Sequence, residues 1–214
     1  MLRSEALSCL TGLKLAGVIC TSAESQMKSR YAPYSHLLEA RQKTNSMQLV
    51  GMTANCWPTF HIQSMIWATD LTGLEILLFP PPEAAAQLST EPLVPPSDSF
   101  NKLIPAPFPG INSCFHTWGS AVAAEIGSST LIKAAGYKLD AMMSAYHGNE
   151  NYEAECDSSV NGDVLFDKQY FGTNVHPFET VFIKTNRDID PVGVQRLTEW
   201  TKGRKYSSYD FCPV

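Results

Sequence analysis

The sequence predicts an α/β domain: a mostly parallel or mixed sheet flanked by helices, interrupted by one long proline-rich irregular segment. Two stretches carry this expectation. Residues 47–79 read as strand, helix and strand, the last a continuous apolar run of the kind buried on both faces of a sheet. Residues 172–200, GTNVHPFETVFIKTNRDIDPVGVQRLTEW, read without a gap as turn, strand, turn and helix.

Taken in order, residues 1–46 predict only a poorly structured extension, with short helical stripes near Leu7, Leu10 and Leu13 and again over 31–43. The domain is expected over 47–204. A strand near 48–54 leads to Asn55-Cys56-Trp57-Pro58, and Pro58 suits the start of a helix near 59–68, where Phe60, Ile62, Met65 and Ile66 recur at helical spacing. Thr72-Gly73 ends it, and a strand is expected at 74–79. Residues 80–110 hold most of the chain's 14 prolines and are expected to be irregular, partly docked through Leu88, Leu93, Val94, Phe100, Leu103, Ile104 and Phe108. A connection of that length is either functional or disordered. A helix near 114–126 with Trp118, Val122, Ala123 and Ile126 on one face stops at Gly127, and a second short one covers 129–135. Leu139, Met142, Met143 and Tyr146 predict a helix over 139–146. The strand at 178–185 alternates Phe178, Thr180, Phe182 and Lys184 with Glu179, Val181, Ile183 and Thr185. Asp190 then caps a helix over 191–202, with Pro191 at its first position and Val194, Leu197 and Trp200 as its stripe. Residues 205–214 are a tail.

At 214 residues the chain suits one full-sized domain. Its 44% hydrophobic content is globular, its 17% charged content is low, and its net charge of -5 speaks against a nucleic-acid partner. The apolar run from Leu10 to Cys20 is broken by Lys14 and preceded by Glu5, so it makes neither a clear signal peptide nor a membrane span. No two of the six cysteines (Cys9, Cys20, Cys56, Cys114, Cys156, Cys212) have zinc-site spacing. Disulfides in a secretory compartment and ordinary buried thiols both remain open. For a secreted chain, Cys156 and Cys212 are the expected pair, because both sit in polar, loop-like surroundings.

Few clusters offer chemistry. The acidic stretch of His147, Glu150, Glu153, Glu155 and Asp157 suits a divalent ion or a network of sugar hydroxyls, or simply a solvated loop. His176 and Glu179 are the candidate catalytic pair, because an imidazole and a carboxylate supply the acid and base of group transfer; equally, His176 suits a hydrogen bond to a carbonyl at the strand mouth. Arg187 is suited to grip a phosphate. Asp188 and Asp190 have D-x-D spacing, but Asp190 is better used as a helix cap. His61 is read as a core or boundary residue. No nucleophile elbow, glycine-rich phosphate loop or HExxH occurs.

The segments GYKLDAMMSAYHG (136–148), YEAECDSS (152–159), NGDVLFD and YFGTNVHPFETVFIKTNRDIDP, with LTEW and YSSYDFC after them, resemble the C-terminal half of an uncharacterised family of fungal, glycosyltransferase-like proteins. The resemblance spans about 47–212 and is strongest after Gly136. It implies a Golgi or secretory location and a carbohydrate or nucleotide-sugar partner. It also places His176, Glu179, Lys184, Asn186 and Arg187 in the family's most characteristic stretch, the last three as substrate-binding candidates. Family members carry a membrane anchor and an acidic metal motif ahead of this region. Without them, no cofactor is expected here, a divalent metal belonging only to a full-length catalytic form. Two functions follow: a glycosyltransferase-like fragment or relative of doubtful catalytic capacity, or a non-catalytic carbohydrate- or protein-binding module. The second would use aromatics near Tyr170-Phe171 and Trp200 to Tyr209. A secreted structural role is a third.

Overall fold

A computed structural model describes residues 47–94, 103–156, 162–176, 179–180, 184, 187 and 189–203. Along them run β1 (Met47–Gly51), β2 (Ala54–Asn55), β3 (His61–Ile62), β4 (Trp67–Ala68), α1 (Leu71–Leu78), α2 (Pro82–Ala85), α3 (Trp118–Ala134), β5 (Lys138–Ala141), α4 (Ser144–Gly148) and α5 (Pro191–Gly203). β1 is the middle strand of a mixed sheet. It pairs parallel with β5, Val50 opposite Asp140, and antiparallel with β4, Val50 opposite Ala68. β2 and β3 form a separate antiparallel pair. Successive residues Leu49 and Val50 on β1, and Leu139, Asp140 and Ala141 on β5, are buried, so both faces of this small sheet are covered. α3 packs on β1, β3 and β5, and Leu131 and Ile132 are fully buried in the core with Leu49, Leu77 and Met143. The expected class holds: a single α/β domain with a mixed sheet flanked by helices.

Several elements differ from expectation. The run at 74–79 belongs to helix α1, not a strand. Asp70 accepts a hydrogen bond from Gly73 N at 2.9 Å as the N-cap, and Gly73, Ile76 and Leu77 form the buried face. Periodicity alone does not separate a short apolar run in a strand from one in a buried helix. The expected helix at 59–68 is two short strands. His61, Ile62 and Gln63 are buried in succession, as no single helical stripe would be, and Gln63 N donates to Thr53 O at 3.0 Å across the hairpin. The stripe at 139–146 is split: Leu139 lies on β5, and the chain turns at Met143 into the short helix α4. Of the strand expected at 178–185, Glu179, Thr180 and Lys184 lie in no strand, and its other residues fall outside those described.

The two helices expected around Gly127 are one. Thr117 and Ser120 cap α3 reciprocally, and the helix continues through Gly127 to Ala134. Gly127 is a contact point, since an added Cβ would collide with the backbone of Phe108, whose N–H donates to Ala123 O at 3.1 Å. Gly119, two turns earlier, faces Leu103 O in the same way. The 103–110 part of the proline-rich segment is therefore a strap laid along the small-residue face of α3, with Ile104 fully buried beneath it. The Leu103 side chain itself is 49% exposed. The expected cap at Asp190 is present, its carboxylate accepting from Gly193 N at 2.9 Å. α5 buries no residue fully, and Trp200 of its expected stripe is 56% exposed. The 1–46 extension, Phe100, Asp188 and the 205–214 tail lie outside the described residues. Among the described residues no helix is long and apolar enough to cross a membrane.

Two substitutions test these assignments by urea unfolding. Gly127→Ala is expected to lose about 1–3 kcal/mol by forcing the strap off α3. Asp190→Ala is expected to lose on the order of 1 kcal/mol by uncapping α5.

Candidate functional site

The parallel strands end at a polar edge, the place where α/β sheets usually offer their sites. Met142 N donates to Gly51 O and Met143 N to Met52 O, extending the β1–β5 pairing before α4 begins. Asp140, the last polar residue of β5, is 3% exposed. Its Oδ1 accepts from Ala141 N at 2.8 Å and lies 3.3 Å from His147 Nε2. Nε2 is also 2.6 Å from Ala141 O. Both neighbours are acceptors, so Nε2 carries the ring proton. Three residues before His147 on α4, Ser144 meets Glu179. Glu179 Oε2 accepts from Ser144 N at 3.0 Å, Ser144 Oγ at 2.6 Å and Tyr170 OH at 2.9 Å, while Oε1 accepts from His176 N at 3.3 Å.

The structure thus joins His176 and Glu179, but through the histidine backbone. Glu179 N donates to His176 O at 2.9 Å, and the histidine side chain is exposed. Burial pushes the Glu179 carboxyl up, but the bonds from Ser144, Tyr170 and His176 outweigh it and hold the group below the usual carboxylate range. Three of the four bonds converge on Oε2, and one reaches Oε1. Glu179 is the remote cap of α4, satisfying its first N–H.

Arg187 belongs to another network. Its guanidinium pairs with Asp163 Oδ2 and lies 5.2 Å from the centroid of the Phe166 ring. Asp163 Oδ1 accepts from Gln63 Nε2 at 2.9 Å and Leu165 N at 3.1 Å, and Gln63 Oε1 accepts from Thr53 Oγ1 at 2.6 Å. Arg187 rivets the C-terminal part of the domain to the β2–β3 hairpin. Lys184 is half-buried and joins neither network among the described residues, and Asn186 lies outside them. Among the described candidates, His176 and Glu179 share one network and Arg187 belongs to another.

A depression opens beside the hairpin instead. Cys56 and Cys156 form a disulfide with Cα atoms 5.2 Å apart. The expected Cys156–Cys212 pairing is thereby corrected: β2 and the turn after α4 meet in space, a proximity that residue surroundings along the chain do not reveal. Around this disulfide a cavity of about 660 Å³ is bordered by Pro58, Thr59, Phe60, Glu153 and Glu155, and one of about 180 Å³ adjoins it near Lys133 and Ser129. Lys133 Nζ pairs with Glu153 and lies 5.9 Å from the Phe60 ring centroid. Asn149 Nδ2 donates to Glu155 at 2.8 Å. The acidic stretch thus contributes a wall of this depression. Among the described residues no group of three or more His, Cys, Asp or Glu side chains is placed to hold a metal ion.

The Thr59–Phe60 wall is fixed from behind. His61, on β3 and 1% exposed, donates from Nδ1 to Thr59 O at 2.9 Å, and its Nε2 faces the Glu125 carboxylate at 3.7 Å. Burial pushes the Glu125 carboxyl up, but His61 and the Ser64 N–H outweigh it and hold the group below its usual range. Ile62 N donates to Ser129 Oγ at 2.9 Å. From Phe60 a run of aromatic rings crosses the domain: Tyr146 at 6.3 Å, then Tyr152 at 5.4 Å, Phe171 at 6.3 Å and Tyr170 at 5.5 Å, each from its predecessor.

Comparison with protein-family models, curated proteins and solved structures finds no match to this chain. The site therefore stands on its own residues. Sequence reading missed Phe60, Lys133, Tyr152 and the Asp140–His147 pair, because each gains its meaning from a partner far along the chain or across a misread element.

Because the folded carboxyl of Glu179 is depressed, its ionised form stabilises the domain above the usual carboxylate range, and that contribution is lost as pH falls through the folded value. Melting curves between about pH 3 and pH 7 should show Glu179→Gln less stable at neutral pH and less acid-sensitive than the parent. Arg187→Ala should cost about 1–3 kcal/mol by stranding Asp163, read by the same melts.

Proposed function

We propose that the domain binds carbohydrate without transferring it, in an oxidising compartment of the secretory pathway. The observation that carries this reading is the depression walled by the Phe60 ring, the Thr59 hydroxyl and the Glu153 and Glu155 carboxylates. The C–H face of a sugar ring packs on an aromatic face by dispersion and weak C–H contacts. Carboxylates and hydroxyls around the rim suit the sugar's own hydroxyls, with charge-assisted bonds the stronger ones. A cavity of about 660 Å³ falls within the range of small-molecule sites.

Glycosyl transfer is less well supported. It requires a cation free to offset the charge of a departing diphosphate. Arg187, the guanidinium expected there, already neutralises Asp163. Glu179 already accepts four hydrogen bonds. The secretory location is supported by the bonded state of Cys56, Cys114 and Cys156, since disulfides persist in oxidising compartments.

Calorimetric titration separates the two functions. The wild-type domain is expected to bind a neutral saccharide, and Phe60→Ala and Glu155→Gln are each expected to weaken it at least about tenfold, near 1.4 kcal/mol. Binding of a nucleotide sugar with manganese at a Kd below about 100 μM, abolished by Arg187→Ala, would establish the transferase reading instead.

A further inference from the structure

Tyr152 and Phe171 lie at the far end of the aromatic run from Phe60, and each departs from ordinary protein structure. Tyr152 is 4% exposed, yet its hydroxyl makes no hydrogen bond among the described residues. Burial, with the Tyr170 and Tyr146 hydroxyls nearby, pushes that hydroxyl's pKa up to about 12. Buried hydroxyls are rarely left without a partner, and one that is calls for a reason.

Phe171 covers it. The two rings meet edge to face, centroids 6.3 Å apart. Tyr170 and Thr173 exchange hydrogen bonds, Tyr170 N to Thr173 O at 3.1 Å and Thr173 N to Tyr170 O at 2.9 Å. The two residues between them both have positive φ, 52° at Phe171 and 79° at Gly172. That is the geometry of a two-residue turn that favours Asn-Gly. A bulky aromatic is unfavourable at its first position. Phe171 is nonetheless held there and is 50% exposed. The turn is anchored on its near side, where Tyr170 OH accepts from Ala145 N at 2.9 Å and donates to Glu179.

We infer that Phe171 and the Tyr152 hydroxyl form a second saccharide subsite, so that the ligand is an oligosaccharide engaging both ends of the aromatic run. This inference rests on the carbohydrate reading above. One sugar unit stacks on Phe60 in the depression. Another stacks on the exposed face of Phe171, and a small rotation of that side chain lets a sugar hydroxyl pair with Tyr152. The strained turn presents the ring, and the unmet hydroxyl supplies the hydrogen bond that the ligand completes.

The test is calorimetric titration with glucose, mannose and N-acetylglucosamine, each as monomer and as linear tetramer, on the wild type, Tyr152→Phe and Phe171→Asn. A tetramer is expected to bind the wild type at least about tenfold tighter than its monomer. Both variants are expected to lose that gain while binding the monomer as before. Neither should be less stable than the parent, because Tyr152→Phe removes an unpaired hydroxyl and Phe171→Asn suits the turn. Tetramer binding unchanged in both variants, with loss confined to Phe60→Ala, overturns the second subsite and leaves the carbohydrate reading standing. Failure of every saccharide to bind the wild type overturns both.

Discussion

The Cys56–Cys156 disulfide is the constraint on which the rest of the domain depends. It ties the end of β2 to the turn after α4 across a sequence separation of 100 residues. Closing a loop of that length removes chain entropy from the unfolded state worth on the order of 4–5 kcal/mol. That is a large share of the 5–15 kcal/mol by which domains are usually stable. The gain matters here because the regular structure is slight. The sheet has three strands, two of the ten elements are helices of five residues or fewer, and the strands beyond β1 and β5 span two residues each.

The same hairpin is held from two other directions. Ile62 N donates to Ser129 on α3, and Gln63 reaches Asp163 and through it Arg187. Both use buried or half-buried polar groups, each paired. Glu179 follows the same pattern at the start of α4. Arg187 and Glu179, whose types suggest phosphate and acid–base chemistry, also join distant parts of a domain with little regular structure. At the depression, the Phe60 ring and the rim carboxylates of Glu153 and Glu155, each bonded to a neighbouring side chain, are the groups that the proposed recognition uses.

What the sequence made legible was local. Asp190, Pro191 and the helix after them were readable because cap and helix are neighbours in the chain. So was the strand at β1, and so was His61 as a buried residue. Contacts between distant segments were not readable. Gly127 looks like a helix stop because its reason for being glycine, the backbone of Phe108, lies in the proline-rich segment. Residues 59–68 look helical because apolar spacing in two short strands mimics a helical stripe. Glu179 and His176 were read as a catalytic pair, and nothing along the chain says that Ser144 and Tyr170 bond to the carboxylate. For a secreted chain Cys156 was expected to pair with Cys212, and it pairs with Cys56 instead, since pairing follows the meeting of two loops rather than their composition.

Peptide mapping of the unreduced protein by mass spectrometry tests the central claim most directly, because the walls of the depression meet only if these two loops are joined. The account predicts a linked peptide containing Cys56 and Cys156, sensitive to reductant and recovered in high yield from protein secreted by a eukaryotic host. A linked peptide joining Cys156 to Cys212, or free thiols at both Cys56 and Cys156, would contradict it.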